Sequence, residues 1–202
     1  KDSVGRQLAE SYEEINLLYT IIQSMTVQQR PERFVAIACQ ELLATLPYAW
    51  IGTQLADDRD RLKSLSGQLI VAGEPGRTAA ELRAVARTVL TLAEPGVPMV
   101  FDPRSNPKHA HMAALGDTVL VQPVSSNNQV IGLLIAGNKK GADLEASSVD
   151  MKLLGATATH MSIFLENAAL YDDLHAMFLG TLEALTASID AKDRYTCGHS
   201  RR

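Results

Sequence analysis

From Val4 to Met25 the apolar positions fall at Val4, Leu8, Ile15, Leu18, Ile22 and Met25, with Ser11 in the longest gap. Steps of three and four along a chain place side chains on one helical face, and this run makes a heptad seam about three repeats long. Glu10, Glu13 and Glu14 lie on the other faces, and no Gly or Pro interrupts the stretch between Arg6 and Arg30. Residues 1–30 therefore read as one leader helix carrying Leu8, Ile15, Leu18, Ile22 and Met25. Two uses fit such a seam: packing onto the chain's own domain, or a parallel coiled coil with a second copy.

The pattern then shortens and changes period. Phe34, Ile37, Ala38, Glu41 and Leu42 give a helix from Pro31 to Leu46, stopped by Pro47. Tyr48 to Ala56 and Ser64 to Ala72 read as strands around a charged turn at Asp57 to Arg61, and Gly73-Glu74-Pro75-Gly76 ends the second. Thr78 with Glu81 three residues on predicts a capping box opening a helix through Leu82, Val85, Ala86, Val89 and Leu92. Val97 to Phe101 is a short strand, and Asp102 to Ala110 a loop. Thr118 to Val124 and Val130 to Ala136 form a hairpin around a polar turn at Ser125 to Gln129, apolar enough for both faces to be covered. The expectation is an α+β fold: a central, mostly antiparallel sheet of five or six strands, layered by helices.

A second long helix leads out. Leu144 to Ile189 holds no proline, and Phe164, Tyr171, Phe178 and Leu185 recur every seven residues, with Leu174 and Met177 in the turn between. Some 45 residues of helix measure about 67 Å, more than one small domain covers. Part of that face is expected to meet a partner chain or something downstream. Asn167 could set its register.

Composition sets bounds on this picture. The 202 residues are 46% hydrophobic and 21% charged, enough for a core of one domain with additions. A net charge of -4 argues against a nucleic-acid footprint, which needs a basic field. Cys39 and Cys197 form no disulfide framework, so a reducing, cytoplasmic setting is expected. No apolar run of membrane-spanning length occurs. With Lys1 first and Arg201-Arg202 last, the chain reads as an excerpt of something longer.

Candidate chemistry is sparse. No dinucleotide glycine fingerprint, phosphate-loop lysine, Gly-x-Ser-x-Gly or Cys-x-x-Cys occurs. His109 and His111 lack a third ligand, His160 and His175 read as interface or solvated residues, and Asp57, Asp58 and Asp60 read as a solvated turn. Cys39 reads as a small core residue.

The order of elements from about residue 31 to 165 resembles a GAF domain, a PAS-related small-molecule-sensing module of signalling proteins. The final hairpin carries the likeness most clearly, in Val119-Leu-Val-Gln-Pro-Val124 and Val130-Ile-Gly-Leu-Leu-Ile-Ala-Gly-Asn-Lys139. The resemblance implies a cavity between the sheet and the loops around Phe101 to Met112. Trp50, Gln54, Gln68, Phe101, His109, Met112 and Gln122 are its candidate walls, and the ligand is unnamed. Cyclic-nucleotide-binding members carry Asn-Lys, a Phe, three residues and Asp-Glu. Here Asn138-Lys139 stands, but Leu144 and Ser148-Val149 replace the rest, which weakens a cyclic GMP reading. No cysteine is placed for a bilin adduct.

Leu185-Thr-Ala-Ser-Ile-Asp-Ala-Lys-Asp-Arg-Tyr-Thr-Cys-Gly-His199-Ser-Arg201 closely resembles the opening of an HD-GYP domain, a metal-dependent phosphodiesterase hydrolysing cyclic di-GMP. The resemblance makes His199 a ligand of a divalent metal pair (iron, manganese or similar) in the complete parent. Tyr195, where some members have Glu, favours the two-metal version. Asp190 and Asp193 are expected to shape a turn before His199. With one candidate ligand this segment should be inert and need no cofactor of its own. The expected organisation is a leader helix at 1–30, a GAF-like domain at 31–165, a connecting helix at 166–189 and the start of a catalytic domain at 190–202.

Two functional classes remain: a sensor that regulates the phosphodiesterase, acting as a homodimer through its terminal helices, or a dimerising scaffold that senses nothing. A third, an enzyme such as a methionine sulfoxide reductase, needs a close set of reactive cysteines that Cys39 and Cys197 do not supply. Neither nucleic acid nor membrane is an expected partner of this segment.

Overall fold

The computed structural model describes residues 30–57 and 65–199, the side chains of 189–199 excepted. The leader seam at Leu8, Ile15, Leu18, Ile22 and Met25, and Asp58 and Asp60 of the turn, lie outside the described residues. The chain divides into two units, Lys1–Glu166 and Asn167–Arg202.

Within the first unit the elements run α1 (Pro31–Thr45), β1 (Tyr48–Leu55), β2 (Leu69–Gly73), α2 (Ala79–Leu92), β3 (Met99–Phe101), a 3-10 helix (Pro107–Met112), β4 (Val119–Ser126) and β5 (Gln129–Lys139). The last helix, α3 (Ser148–His199), begins in this unit and continues into the second. Five strands form one sheet in the order β2-β1-β5-β4-β3, and every ladder is antiparallel. The α+β expectation of a five- or six-stranded antiparallel sheet flanked by helices is met at five.

Local chemistry explains most boundaries. Pro31 opens α1, and Leu46, in extended conformation before Pro47, closes it. Thr78 and Glu81 make the expected capping box: Glu81 N donates to Thr78 Oγ1 (3.3 Å) and Thr78 N to Glu81 Oε2 (2.9 Å). The β4–β5 hairpin turns on Asn127 and Asn128, both at positive φ, so the turn is two residues long and tighter than expected.

Three expectations shift. β2 is confined to Leu69–Gly73 because Leu65 to Gly67 turn first. The Asp102 to Ala110 loop contains the 3-10 helix, started by Pro107 and capped by Asn106 Oδ1 on Lys108 N at 3.1 Å. The outgoing helix starts at Ser148 and runs to His199 without the expected stop near Ile189. No proline follows, and Gly198 is the first glycine after Gly180, so nothing breaks the helix where a turn was expected at Asp190 and Asp193.

The sheet buries both faces by strand alternation. Ile51, Thr53 and Leu55 of β1, with Leu120, Val124, Leu134 and Ala136, face α1 and the first turns of α3. There Phe34 and Phe164 stack with centroids 4.0 Å apart. Trp50 of β1, with Val119, Val121, Leu133 and Ile135, faces α2 and the 3-10 helix.

Candidate functional site

The α2 face of the sheet is where the expected cavity would lie. Trp50, Met112 and Leu115 are completely buried and pack with Leu82, Ala86 and Val89 of α2. The indole of Trp50 lies against Gly137, paired opposite it on β5. A Cβ at 137 would stand 2.1 Å from Trp50 Nε1, so only glycine fits beneath the ring. Trp50 Nε1 donates to Leu115 O at 3.1 Å, which satisfies the one polar atom of the indole.

Of the candidate wall residues, Phe101 packs against this cluster and meets the His109 ring edge-on at 5.4 Å. Asp102 N donates to His109 Nδ1 at 3.0 Å, so a neutral ring carries its proton on Nε2. Gln54 is fully buried: its Nε2 donates to Leu55 O (2.8 Å) and Gly67 O (3.1 Å), while its Oε1 has no partner. Gln68 is exposed at the entry to β2. The structure therefore brings Trp50, Phe101, His109 and Met112 to one region on the α2 face of the sheet.

Gln122 is placed differently from the expectation. It pairs with Leu134, which pairs with Thr53, so it shares their face and lies against α3, across the sheet from Trp50. Gln122, Pro123 and Ser125 of β4 line a cleft of about 190 Å3, together with Gly96 and with Gly155, Ala158, Thr159 and Ser162 of α3.

A buried polar cluster went unforeseen. Lys139 Nζ lies 2.8 Å from Asp150 Oδ2, and the two side chains are only 7% and 4% exposed. Tyr48 OH donates to the same oxygen at 3.0 Å, as does Ser147 N at 3.0 Å, while Asp150 N donates to Ser147 Oγ at 3.1 Å. Burial alone pushes the Asp150 carboxyl up. The ammonium of Lys139 and the bonds from Ser147 and Tyr48 outweigh it and hold the carboxyl below the usual range. The Tyr48 phenol is pushed well up, first by burial and then by the Asp150 charge. Ser147-x-x-Asp150 is a capping spacing and the legible trace of this cluster; the pairing with Lys139 depends on how the intervening loop closes.

Reactive groups are few. Cys39 is fully buried with its Sγ 3.4 Å from Thr53 Oγ1; burial, partly offset by that contact, pushes the thiol up to about 11. Among the described residues no three His, Cys, Asp or Glu side chains come together as a metal site, and no helix is long and apolar enough to cross a membrane. The side chains of Ile189, Asp190, Asp193, Tyr195, Cys197 and His199 lie outside the described residues; their backbone is helical through His199.

In the second unit, α3 exposes a run of large apolar side chains. Tyr171, Leu174, Phe178 and Leu185 occupy heptad a and d positions, and Leu170, Met177 and Leu182 flank them; all are 44–65% exposed. Asp172, Asp173 and Glu183 fall on the opposite side. Phe164, expected on this seam, belongs instead to the core of the first unit, stacked on Phe34 and 6% exposed.

No family model matches the chain, and no curated protein matches it. Solved structures do. The GAF domain of a Pseudomonas syringae pv. tomato protein assigned as a sensor histidine kinase aligns with a TM-score of 0.60 at 20% identity, over 86% of this chain and 99% of its own. The phycoerythrobilin-bound GAF domain of a cyanobacterial phytochrome gives 0.56 at 13%, over 80% and 99%. The free methionine-R-sulfoxide reductase of Neisseria meningitidis, in complex with its substrate, gives 0.55 at 19%, over 77% and 89%. At these identities the likeness is one of architecture. The fold is GAF-like: a five-stranded antiparallel sheet between helices.

Proposed function

We propose that this chain is the regulatory module of a bacterial cytoplasmic signalling protein, a homodimer that controls a C-terminal phosphodiesterase acting on cyclic di-GMP. The observation that carries the reading is the exposed seam on α3. An apolar stripe of this length on a solvated helix is costly unless covered, and its heptad spacing fits an identical helix in parallel register. The chain leaves this seam in one unbroken helix that enters the segment resembling the opening of an HD-GYP domain. A change in the crossing or register of paired helices would thus reach a catalytic domain directly. His199 would be a metal ligand only in that complete domain, where a divalent pair supplies an activated water for attack on the phosphodiester.

Sedimentation equilibrium of the chain tests the pairing. The expected result is a particle of twice the chain mass that becomes monomeric in Leu174→Glu/Phe178→Glu with its circular dichroism kept. A strict monomer at all concentrations sinks the reading. The catalytic part is tested in the longer protein: metal-dependent hydrolysis of cyclic di-GMP, lost in His199→Ala. Hydrolysis indifferent to that substitution removes the role of His199.

A second reading is a scaffold that senses nothing and holds two catalytic domains at a fixed distance. The burial of Trp50 and Met112 against α2 supports it. Native mass spectrometry separates the two, because a retained small molecule supports sensing.

A further inference from the structure

We propose that the outer edge of β2 pairs with the same edge of a second copy of this chain, antiparallel and two-fold about Val71. The contact uses residues of the first unit alone and none of α3, so it is separate from the seam contact proposed above.

The ladder to β1 decides which backbone groups of β2 face outward. Leu55 N donates to Gln68 O at 2.9 Å and Glu74 N to Ala49 O at 3.1 Å, and the register between them is unbroken. Antiparallel pairs alternate, so Ile70 and Ala72 turn both their groups toward β1. In a planar trans peptide N–H and C=O point opposite ways, so Leu69, Val71 and Gly73 turn both of theirs away. β2 is the last strand on this side of the sheet, and among the described residues these six groups have no hydrogen-bond partner. Leu69, Ile70 and Val71 are half-buried and Gly73 is exposed, so the edge reaches solvent. The usual guards of an edge are missing: Leu65 to Gly73 holds no charge and no proline, and the ladder has no bulge. The opposite edge is guarded, since β3 has three residues and follows Pro98.

The edge is complementary to itself, which selects the occupant. With Val71 on the axis, Leu69 of one copy stands opposite Gly73 of the other, and all six outward groups of each copy gain partners. Val71 then meets Val71 on the Trp50 face and Ile70 meets Ala72 on the α1 face, so each face keeps its own side chains. At both ends Glu74 of one copy stands opposite Gln68 of the other, carboxylate against amide, and no like charges meet. Two five-stranded sheets become one continuous sheet. Five residues a side fall well short of the roughly 20–30 of a standard interface, so the pairing is weak alone and is best read by trapping it.

Val71→Cys and Leu69→Cys are the probes, each in a full chain carrying Cys197→Ser and the seam-breaking Leu174→Glu/Phe178→Glu, with circular dichroism confirming the fold. On the axis, two copies of residue 71 lie about 5.5 Å apart between Cα atoms, within the range of about 4.4–6.8 Å that a disulfide spans. Two copies of residue 69 are offset by four residues, about 14 Å, and cannot be bridged. Under mild oxidation of the concentrated chain, Val71→Cys is expected to give the covalent dimer at least about tenfold faster than Leu69→Cys. Equal rates at the two positions mean random collision and overturn the proposal. A Val71→Cys chain that stays uncrosslinked overturns it as well, and assigns the edge to something other than a second copy. Neither outcome bears on the α3 seam, which is already broken in both chains.

Discussion

Replacing Asp150 by Asn isolates the energetics of the buried Lys139–Asp150 pair. At 2.8 Å and an effective dielectric of 20, the gross attraction is of order 6 kcal/mol, from which the cost of removing two ions from water must be subtracted. Removing one partner of such a pair costs about 3–5 kcal/mol, because the other charge stays buried. Asn can still accept from Tyr48 and Ser147, and the flexible Lys139 can move its ammonium toward water, so the lower end, about 3 kcal/mol, is expected. In a chain of this size that is roughly a 10 °C fall in Tm. Urea unfolding followed by circular dichroism at neutral pH measures it. Lys139→Met/Asp150→Leu should lose less than the sum of its single substitutions, since it leaves no orphaned charge. The pH dependence has a definite sign. Asp150 has a depressed folded pKa, so its contribution is fully present above its unfolded value of about 3.9 and is lost as pH falls through the folded value. The wild type should therefore lose stability below about pH 4 more steeply than Asp150→Asn. A loss under about 1 kcal/mol, or single effects that simply add, would refute the reasoning.

Gly137→Ala forces a Cβ to within 2.1 Å of the Trp50 indole and 2.5 Å of Leu115 O, and should cost about 3 kcal/mol. Trp50→Phe in the same chain should recover part of that loss, which paired urea melts will show. Cys39, with its thiol pushed up to about 11, should be inert to an aromatic disulfide reagent at pH 8 in a Cys197→Ser background. Its modification rate should follow unfolding, and fast labelling of the native chain would show the site to be open.

The periodicities that define α1, α2 and the β4–β5 hairpin are local, and so they could be read directly from the chain. The capping box at Thr78 is equally local and forms as expected. What was not legible depends on register and loop closure. Nothing in the spacing of Gln122 says which face it takes until β4 is paired with β5 and β5 with β1. Tyr48 and Asp150 meet across 102 residues, and Asp150 lies one position beyond Ser148-Val149, the pair that stands where cyclic-nucleotide-binding members carry Asp-Glu. The unbroken seven-residue repeat hid the change of role between Phe164, which packs inward on Phe34, and Tyr171, which is exposed. The same spacing suits a core face and a partner face, and only the end of the sheet distinguishes them.

Trp50 is the chain's sole tryptophan, and its position makes it a label that needs no chemistry. A sealed, hydrogen-bonded indole emits toward the blue, and any solvent or ligand that parts α2 from the sheet must move that emission. The β4–α3 cleft lies on the opposite side of the same sheet, out of the indole's contact. Intrinsic fluorescence therefore reports on one face of the domain, and the backbone amide shifts of Gln122 and Gly155 report on the other. A molecule that changes one signal and not the other reveals which side of the sheet it has entered.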